Sequence, residues 1–170
     1  INGIHVIGNT AYAAVGNGGL TIFDITTPSA PTITKIFTTS ANAQSVEVVE
    51  NTAYVGVIGN GVDIIDVTNP VNPTLISTYG SGDGYNLDVV GNTVYLTDNN
   101  FLKIIDVTTP ATPTLIHAYD SPGNPYDVTV VGNTAYMADY GAGVKIFNIG
   151  TEFLPDALVG TYATTGMARD

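Results

Sequence analysis

The five residues Gly8–Tyr12 read GNTAY, and this stretch decides the fold because it returns three more times in the chain. The other copies are ENTAY at Glu50–Tyr54, GNTVY at Gly91–Tyr95 and GNTAY at Gly132–Tyr136. The asparagines of the four copies are separated by 42, 41 and 41 residues. A constant period of this length is typical of repeat architectures. The 170 residues are therefore predicted to contain four copies of one structural unit.

Each copy is followed by a second repeated stretch that is rich in apolar residues. It reads GLTIFDI at Gly19–Ile25, GVDIIDV at Gly61–Val67, FLKIIDV at Phe101–Val107 and GVKIFNI at Gly143–Ile149. Apolar and polar residues alternate within the units, and Gly, Asn and Pro separate the short runs. This pattern is typical of β-strands, and the breakers exclude helices of useful length. We predict four antiparallel strands in each unit, which is the size of one blade of a β-propeller.

A resemblance to a known family rests on the third strand of the units and the loop after it. The sequences LTIFD, VDIID and LKIID are followed by a segment of the form xTxPxxPT. This combination resembles the LVIVD-repeat family of β-propellers, which implies a secreted or cell-surface protein of bacteria or archaea. The resemblance covers the whole chain and implies no common set of catalytic residues. The fourth unit departs from the pattern, because Asn148 replaces the aspartate and Glu152 replaces the first proline.

The fold class expected from these repeats is all-β, a β-propeller of four four-stranded antiparallel blades of about 42 residues each. The blades are predicted at residues 1–42, 43–83, 84–124 and 125–167, and residues 168–170 are interpreted as the start of a truncated fifth repeat. Four blades can close alone into a small ring. They can also form half of an eight-bladed ring that a second chain completes, which would cover the apolar faces of the outer blades. The homodimer is the preferred hypothesis.

The composition excludes some classes of partner. Fifteen Asp and Glu oppose four Lys and Arg, which gives a net charge of -11. Such a surface repels nucleic acids and anionic membranes, and no apolar run is long enough to span a bilayer. The chain has no cysteine and therefore no disulfide. We expect neither nucleic-acid binding nor insertion into a membrane.

Two kinds of repeated residue are predicted to be structural. Asp24, Asp66 and Asp106 end the third strands, where a row of carboxylates could also bind a metal. Each of them precedes a turn and Asn148 takes the same place, so we interpret them as acceptors for backbone amides of the turn. The repeated aromatic residue of the second strand is predicted to fill the space between neighbouring blades. It is found at Tyr12, Tyr54, Tyr95 and Tyr136.

The functional site is expected where the units differ, on their loops. In a propeller, the loops from strand four to the next strand one share a face with the loops from strand two to strand three. That face borders the central channel and is the default ligand site. The residues predicted to bind a ligand there are Asp83, Tyr85, Asn86, Asp98, Asn99, Asp127, Asp139 and Tyr140. The carboxylates among them suit Ca²⁺, which takes about six to eight oxygen ligands, although no DxDxDG loop is present.

A second set of polar residues lies four residues before each repeated asparagine, in the first strand of the unit. It consists of His5, Glu47, Asp88 and Thr129, and the residues on both sides of each are apolar. Their side chains are therefore predicted to line the central channel. A ring of such groups could hold an ion or ordered water, but a wetted lining is the favoured interpretation.

The sequence contains no arrangement of Ser, His and Asp, no zinc spacing and no phosphate-binding loop that would indicate an enzyme. The favoured hypothesis is a non-enzymatic binding, adhesion or protein-interaction module of a secreted or cell-surface protein, with a protein or carbohydrate ligand. One alternative is a hydrolase or lyase that uses Glu47, Asp88 and Asp127 at the mouth of the channel. The other is a purely structural element of a repeat array. No cofactor is expected apart from a cation such as Ca²⁺.

Overall fold

The computed structural model describes residues 1–80, 82–121, 123–150, 158–164 and 168. Over these residues the chain forms sixteen strands in four antiparallel sheets, and each sheet contains four strands that follow one another in sequence. Within this part of the chain there is no helix of the length and hydrophobicity that a membrane span requires. The predicted all-β fold with four four-stranded blades is confirmed.

Each sheet is built from one repeat. The first contains β1 (Gly3–Ile7), β2 (Thr10–Ala14), β3 (Leu20–Asp24) and β4 (Thr32–Phe37). The second contains β5 (Asn42–Val49), β6 (Thr52–Ile58), β7 (Gly61–Asp66) and β8 (Thr74–Tyr79). The third contains β9 (Leu87–Val90), β10 (Thr93–Asp98), β11 (Phe101–Asp106) and β12 (Thr114–Asp120). The fourth contains β13 (Pro125–Val131), β14 (Thr134–Asp139), β15 (Gly143–Asn148) and β16 (Leu158–Tyr162). The loop with Glu152 and residues 169–170 of the predicted fifth repeat lie outside the described residues.

A two-residue turn joins the first and second strands of every sheet, and it explains the repeated GN. In the first sheet Ile7 pairs with Thr10, and the other three sheets have the equivalent pair. The first turn residue has a φ between 53° and 60° in all four repeats, and it is glycine everywhere except at Glu50. This left-handed conformation costs a residue other than glycine roughly 1–2 kcal/mol. Glu50 therefore carries backbone strain that the other three turns avoid.

The repeated asparagine fixes this turn to the third strand. Its backbone carbonyl accepts a hydrogen bond from the amide of the residue that follows the third strand, over 2.8–2.9 Å in all four sheets. The donor and acceptor pairs are Ile25 and Asn9, Val67 and Asn51, Val107 and Asn92, and Ile149 and Asn133. A register shift also recurs between the third and fourth strands of every sheet. Each repeat therefore encodes the same hydrogen-bonded sheet, including its bulge.

The chain divides into two compact units, residues 1–84 with 109–113 and residues 85–108 with 114–170. In the first unit, Tyr12 and Ile22 of the first sheet belong to one buried cluster with Val48 and Val55 of the second sheet. The core of this unit is therefore formed between two neighbouring sheets. This confirms the predicted role of Tyr12.

The second unit is built in the same way. Tyr95 and Ile104 of the third sheet share a buried cluster with Val128, Met137 and Phe147 of the fourth sheet. Tyr95 thus fills the space between neighbouring sheets, as predicted from the sequence.

We expect the substitution Glu50→Gly to stabilise the protein by about 0.5–1 kcal/mol, because glycine adopts the required φ without strain, although it also loses more freedom on folding. The matched variant is Gly91→Ala, at the same position of the third repeat, where an added β carbon would meet no atom within 4 Å. It should destabilise by about 1 kcal/mol through the backbone alone. Urea unfolding of the two variants measures both values. A loss of stability in Glu50→Gly would contradict the assignment of strain to this turn.

Candidate functional site

The repeated aspartates at the ends of the third strands serve the turns that follow them. Asp24 Oδ1 accepts hydrogen bonds from Thr26 N at 2.8 Å and from Thr26 Oγ1 at 2.6 Å. Asp66 and Asp106 accept the equivalent backbone bond at 2.8 Å, and Asn148 accepts one from Gly150 N at 3.0 Å. The structural interpretation of these residues is confirmed.

These hydrogen bonds also change the titration of the three carboxyl groups. The hydroxyl and then the amide of the following threonine hold the pKa of Asp24, Asp66 and Asp106 below its ordinary value. A pKa that is lower in the folded state contributes stability above the unfolded pKa, and the contribution is lost as the pH falls through the folded pKa. Asp24 is exposed and Asp66 and Asp106 are half-buried, so solvent screens their part in acid unfolding.

Two of the predicted ligand residues are buried in ion pairs. Asp98 is 6% exposed and pairs with Lys103, which is 9% exposed. Asp139 is 0% exposed and lies 2.6 Å from Lys145 Nζ. Each of these two carboxylates is therefore neutralised by a lysine of its own sheet rather than adding negative charge to the predicted acidic face. Each lysine stands in the centre of the third strand, diagonally across from its aspartate.

The second sheet uses the same position of its third strand differently. Asp63 is completely buried there and accepts hydrogen bonds from Ser40 N at 2.6 Å, Ser40 Oγ at 2.7 Å and Thr78 Oγ1 at 2.8 Å. Ser40 lies in the loop that enters the second sheet. The buried carboxylate thus ties the incoming loop to the third and fourth strands of that sheet.

The fourth sheet has a corresponding tie to its incoming loop. Ser121 Oγ donates to Asp139 Oδ2 at 2.5 Å and accepts a bond from Lys145 Nζ at 2.6 Å. A β carbon added to Gly123 would overlap the Asp139 carboxylate, so the loop passes directly over this cluster. These two hydrogen bonds connect Ser121 of the loop to β14 and β15, whereas Asp139 Oδ1 has no hydrogen-bond partner among the described residues. The loop from strand four to strand one is therefore held by a buried triad of Ser121, Asp139 and Lys145.

The sequence contains a pattern that indicates the two aspartate–lysine pairs, although the alternation of apolar residues in the strands does not show it. An aspartate three residues after the repeated tyrosine occurs only in the two repeats that have lysine in the centre of the third strand. The first two repeats have Val15 and Val57 instead, diagonally across from Thr21 and Asp63. Aligning the repeats by register would therefore have predicted the pairs.

The loop side of the second unit brings two tyrosines together. The rings of Tyr85 and Tyr126 stack with centroids 5.9 Å apart and planes inclined by 19°. Tyr126 is 43% exposed, whereas Tyr85 is half-buried. Tyr85 OH donates to Oδ1 of the exposed Asn99 at 2.8 Å. Beside them, Asn86 Nδ2 donates to Asp127 Oδ1 and joins the residue that precedes β9 to β13.

We call the surface formed by Tyr85, Asn86, Asn99, Tyr126 and Asp127 the tyrosine surface. The sequence prediction contained four of these residues and missed Tyr126. The signal was present, because Tyr85 and Tyr126 both stand seven residues before the repeated asparagine of their unit.

The first unit carries amides rather than aromatic rings at the corresponding positions. Gln44 Nε2 donates to Asn42 Oδ1 at 2.7 Å, and Asn42 Nδ2 donates to Asn17 Oδ1 at 3.0 Å. Asn2 Nδ2 donates to the carbonyl of Ala43 at 3.0 Å. The predicted residue Asp83 also lies in this unit, where it accepts a bond from Gly59 N at 2.6 Å. Tyr140 lies in the second unit and is half-buried.

The four polar residues that were predicted to line the central channel lie in the first strands, two in each unit. His5 and Glu47 lie half-buried in the first unit, and burial lowers the pKa of His5. In the second unit Thr129 is exposed, and Asp88 Oδ2 accepts a hydrogen bond from Val130 N at 2.5 Å. Asp88 therefore links the neighbouring strands β9 and β13. The lining of a common channel by all four residues stays a prediction.

No three His, Asp or Glu side chains are grouped closely enough to hold a metal ion among the residues that the structure describes. Among the carboxylates predicted for the loop face, Asp98 and Asp139 form ion pairs and Asp127 accepts a hydrogen bond from Asn86. A bound Ca²⁺ stays a prediction.

A known family matches the chain once in each of the four repeats seen in the fold. The model of the LVIVD repeat matches the chain four times in succession, at residues 2–39, 40–80, 81–121 and 122–150. The chain belongs to the LVIVD-repeat family. Each match contains most of one four-stranded sheet, so the family repeat and the structural repeat coincide. No curated protein sequence matches the chain significantly.

Several solved structures have a similar fold. The computationally designed Ika8 protein is 14% identical with a TM-score of 0.79, over 99% of this chain and 51% of that one. The designed Ika4 protein is 14% identical with a TM-score of 0.72, over 88% of this chain and 91% of that one. A chain of a nidogen/laminin complex is 12% identical with a TM-score of 0.67, over 95% of this chain and 63% of that one. The present chain spans about half the length of the Ika8 protein. At these identities the likeness shows the fold alone.

We expect the substitution Lys103→Thr to destabilise the protein by about 3–5 kcal/mol, because it leaves the buried Asp98 carboxylate without its cation. The double variant Lys103→Thr with Asp98→Val copies the pair that the first repeat has at Thr21 and Val15. It should recover most of the loss, since no unpaired charge remains. Urea unfolding of both variants measures the difference. Equal losses of stability in the single and double variants would show that the unpaired charge of Asp98 is not the cause of the loss.

Proposed function

We propose that this LVIVD-repeat chain is a non-enzymatic interaction module that binds a basic segment of a partner protein through the tyrosine surface. The observation that carries the proposal is the stacked pair of Tyr85 and Tyr126, which stands beside side chains that can both donate and accept hydrogen bonds. Tyrosine supplies a large and rigid contact area with a polar end, and small polar residues in loops supply adaptable hydrogen bonds. Loops of this composition are characteristic of protein-binding surfaces.

The rigidity of the surrounding loop supports the same proposal. The buried triad of Ser121, Asp139 and Lys145 anchors the loop that leads to Tyr126. An anchored loop loses less conformational freedom when it binds, and this increases affinity. A binding surface is best placed on such a supported segment.

The charge of the chain favours a basic partner. The net charge is -11, and two of the three lysines, Lys103 and Lys145, are buried in ion pairs. Two of the four positively charged side chains are thus withdrawn from the surface, whereas Asp83 and Asp127 remain accessible in part near the loops. Complementary charge raises the rate of association and makes binding dependent on salt.

We further propose that the protein acts outside the cell or at its surface. This proposal rests on the family, because the resemblance to LVIVD-repeat proteins implies a secreted or cell-surface protein. A chain of the same fold is also part of the nidogen/laminin complex, which makes the fold compatible with binding another protein.

The test uses two arrays, one of peptides rich in Lys and Arg and one of neutral and charged glycans. The labelled protein should bind basic peptides, and the affinity should fall when salt is raised from about 0.05 to 0.5 M. Tyr126→Ala should weaken the binding of the selected peptide at least about tenfold, as expected for an aromatic residue at the centre of an interface. Isothermal titration calorimetry measures the loss.

The matched control is Leu115→Ala, which removes an apolar side chain of 48% exposure from the fourth strand of the third sheet. This variant should bind the peptide as the unaltered protein does. Binding to glycans alone would overturn the choice of a protein partner. Unchanged peptide affinity in Tyr126→Ala would overturn the tyrosine surface as the site.

A further inference from the structure

Neighbouring sheets within a unit pack through two different faces. We call the face that carries the repeated tyrosine the leading flank, as with Tyr12 and Ile22 of the first sheet. We call the face that carries the apolar residues of the first strand the trailing flank, as with Val46 and Val48 of the second sheet. In the first unit the leading flank of one sheet is buried against the trailing flank of the next. The same arrangement recurs between the third and fourth sheets in the second unit.

The trailing flank of the first sheet is exposed at its first strand. Ile4 and Val6 occupy the positions of Val46 and Val48 in the repeat. Ile4 is 62% and Val6 is 52% exposed, whereas Val46 is 8% and Val48 is 4% exposed. Ala13 of the second strand, which pairs with Ile4, is buried, so the exposed apolar area at this position comes from the first strand.

The leading flank of the fourth sheet is exposed in a corresponding way. Tyr136 is 40% exposed, whereas the equivalent Tyr12, Tyr54 and Tyr95 are 5–7% exposed. Ile146 is half-buried, although the equivalent Ile104 is completely buried. The same repeat residues are therefore present on the fourth sheet without the cover that they have elsewhere.

We infer that a second copy of this chain covers these flanks in a head-to-tail dimer. The two exposed flanks are of opposite kinds, and opposite kinds are the ones that pack together between neighbouring sheets inside each unit. The leading flank of the fourth sheet of one copy therefore fits the trailing flank of the first sheet of the other. A contact of this kind is heterologous, because different flanks of the two copies meet.

Two copies are the fewest in which the leading flank of each chain covers the trailing flank of the other. The apolar flanks also oppose the electrostatic repulsion between copies that each carry a charge of -11, so the dimer should be stable at moderate salt rather than at very low salt.

The experiment measures the mass in solution by sedimentation equilibrium and by light scattering, at about 0.15 M salt and over about two decades of concentration. The unaltered chain should have twice its monomer mass of 17.6 kDa. Ile4→Glu on the trailing flank and Tyr136→Glu on the leading flank should each give a monomer. The control Val71→Glu adds the same charge to a residue of 60% exposure in the loop between β7 and β8, and it should remain a dimer.

Mixing the two monomeric variants tests the head-to-tail geometry. A pair formed by one molecule of each variant retains one interface in which both flanks are unaltered, so the mixture should recover a dimer. The circular dichroism of each variant should be that of the unaltered chain, and Ile4→Ser and Tyr136→Ser replace any variant that fails this check. A monomeric unaltered chain at every concentration would overturn the proposal. So would a dimer that one flank variant abolishes and the other leaves intact, because that result indicates a contact between like flanks.

Discussion

The structure depends on the contact between the apolar faces of successive sheets. A four-stranded sheet made from one repeat has two faces, and in this chain neither face has a helix to cover it among the described residues. In the first unit Tyr12 of one sheet and Val48 of the next belong to the same buried cluster. The hydrophobic effect therefore acts between repeats rather than within them. A single repeat could not bury its own core, and this is the reason that the sequence repeats at all.

The buried polar groups give each repeat an individual character on this shared scaffold. The centre of the third strand carries Thr21, Asp63, Lys103 and Lys145 in successive sheets, and all four are buried. Each charged residue of this set has an opposite charge or hydrogen-bond donors within its own sheet or its incoming loop. Ser40 and Ser121 lie in incoming loops, so the clusters of Asp63 and Lys145 hold these loops, and the loops are where the repeats differ. The tyrosine surface lies beside one of these anchored loops.

The fold could be predicted from the sequence because its determinants are local and occur four times. The turn at Gly8 and the acceptor Asp24 each act within a few residues, so the pattern of residue types is sufficient to identify them. The role of Asp98 could not be predicted in the same way. Its partner Lys103 lies on the next strand, and only the register between the strands brings the two side chains together. A carboxylate that was expected to be available to a ligand is thus an internal counter-ion.

The candidate site was predicted in part for a similar physical reason. The loops of the third and fourth repeats were identified because they differ from those of the first two, and Tyr85, Asn86, Asn99 and Asp127 were selected from them. Tyr126 was missed because stacking is a property of two rings in space, and the sequence shows only their common position in the repeat. The exposure of Tyr136 could not be predicted either. Its sequence context is that of the buried Tyr12, and the difference depends on what lies against the sheet.

The most direct test of the packing between sheets is a set of nuclear Overhauser effects between aromatic rings and methyl groups. We expect effects between the ring of Tyr12 and the methyl groups of Val46 or Val48, and between the ring of Tyr95 and those of Val128, because each group shares a buried cluster across two repeats. Selective labelling of valine methyl groups makes these signals observable one unit at a time. Rings that contacted only residues of their own repeat, or backbone amide contacts that paired strands of different repeats in one sheet, would contradict a core formed between successive sheets.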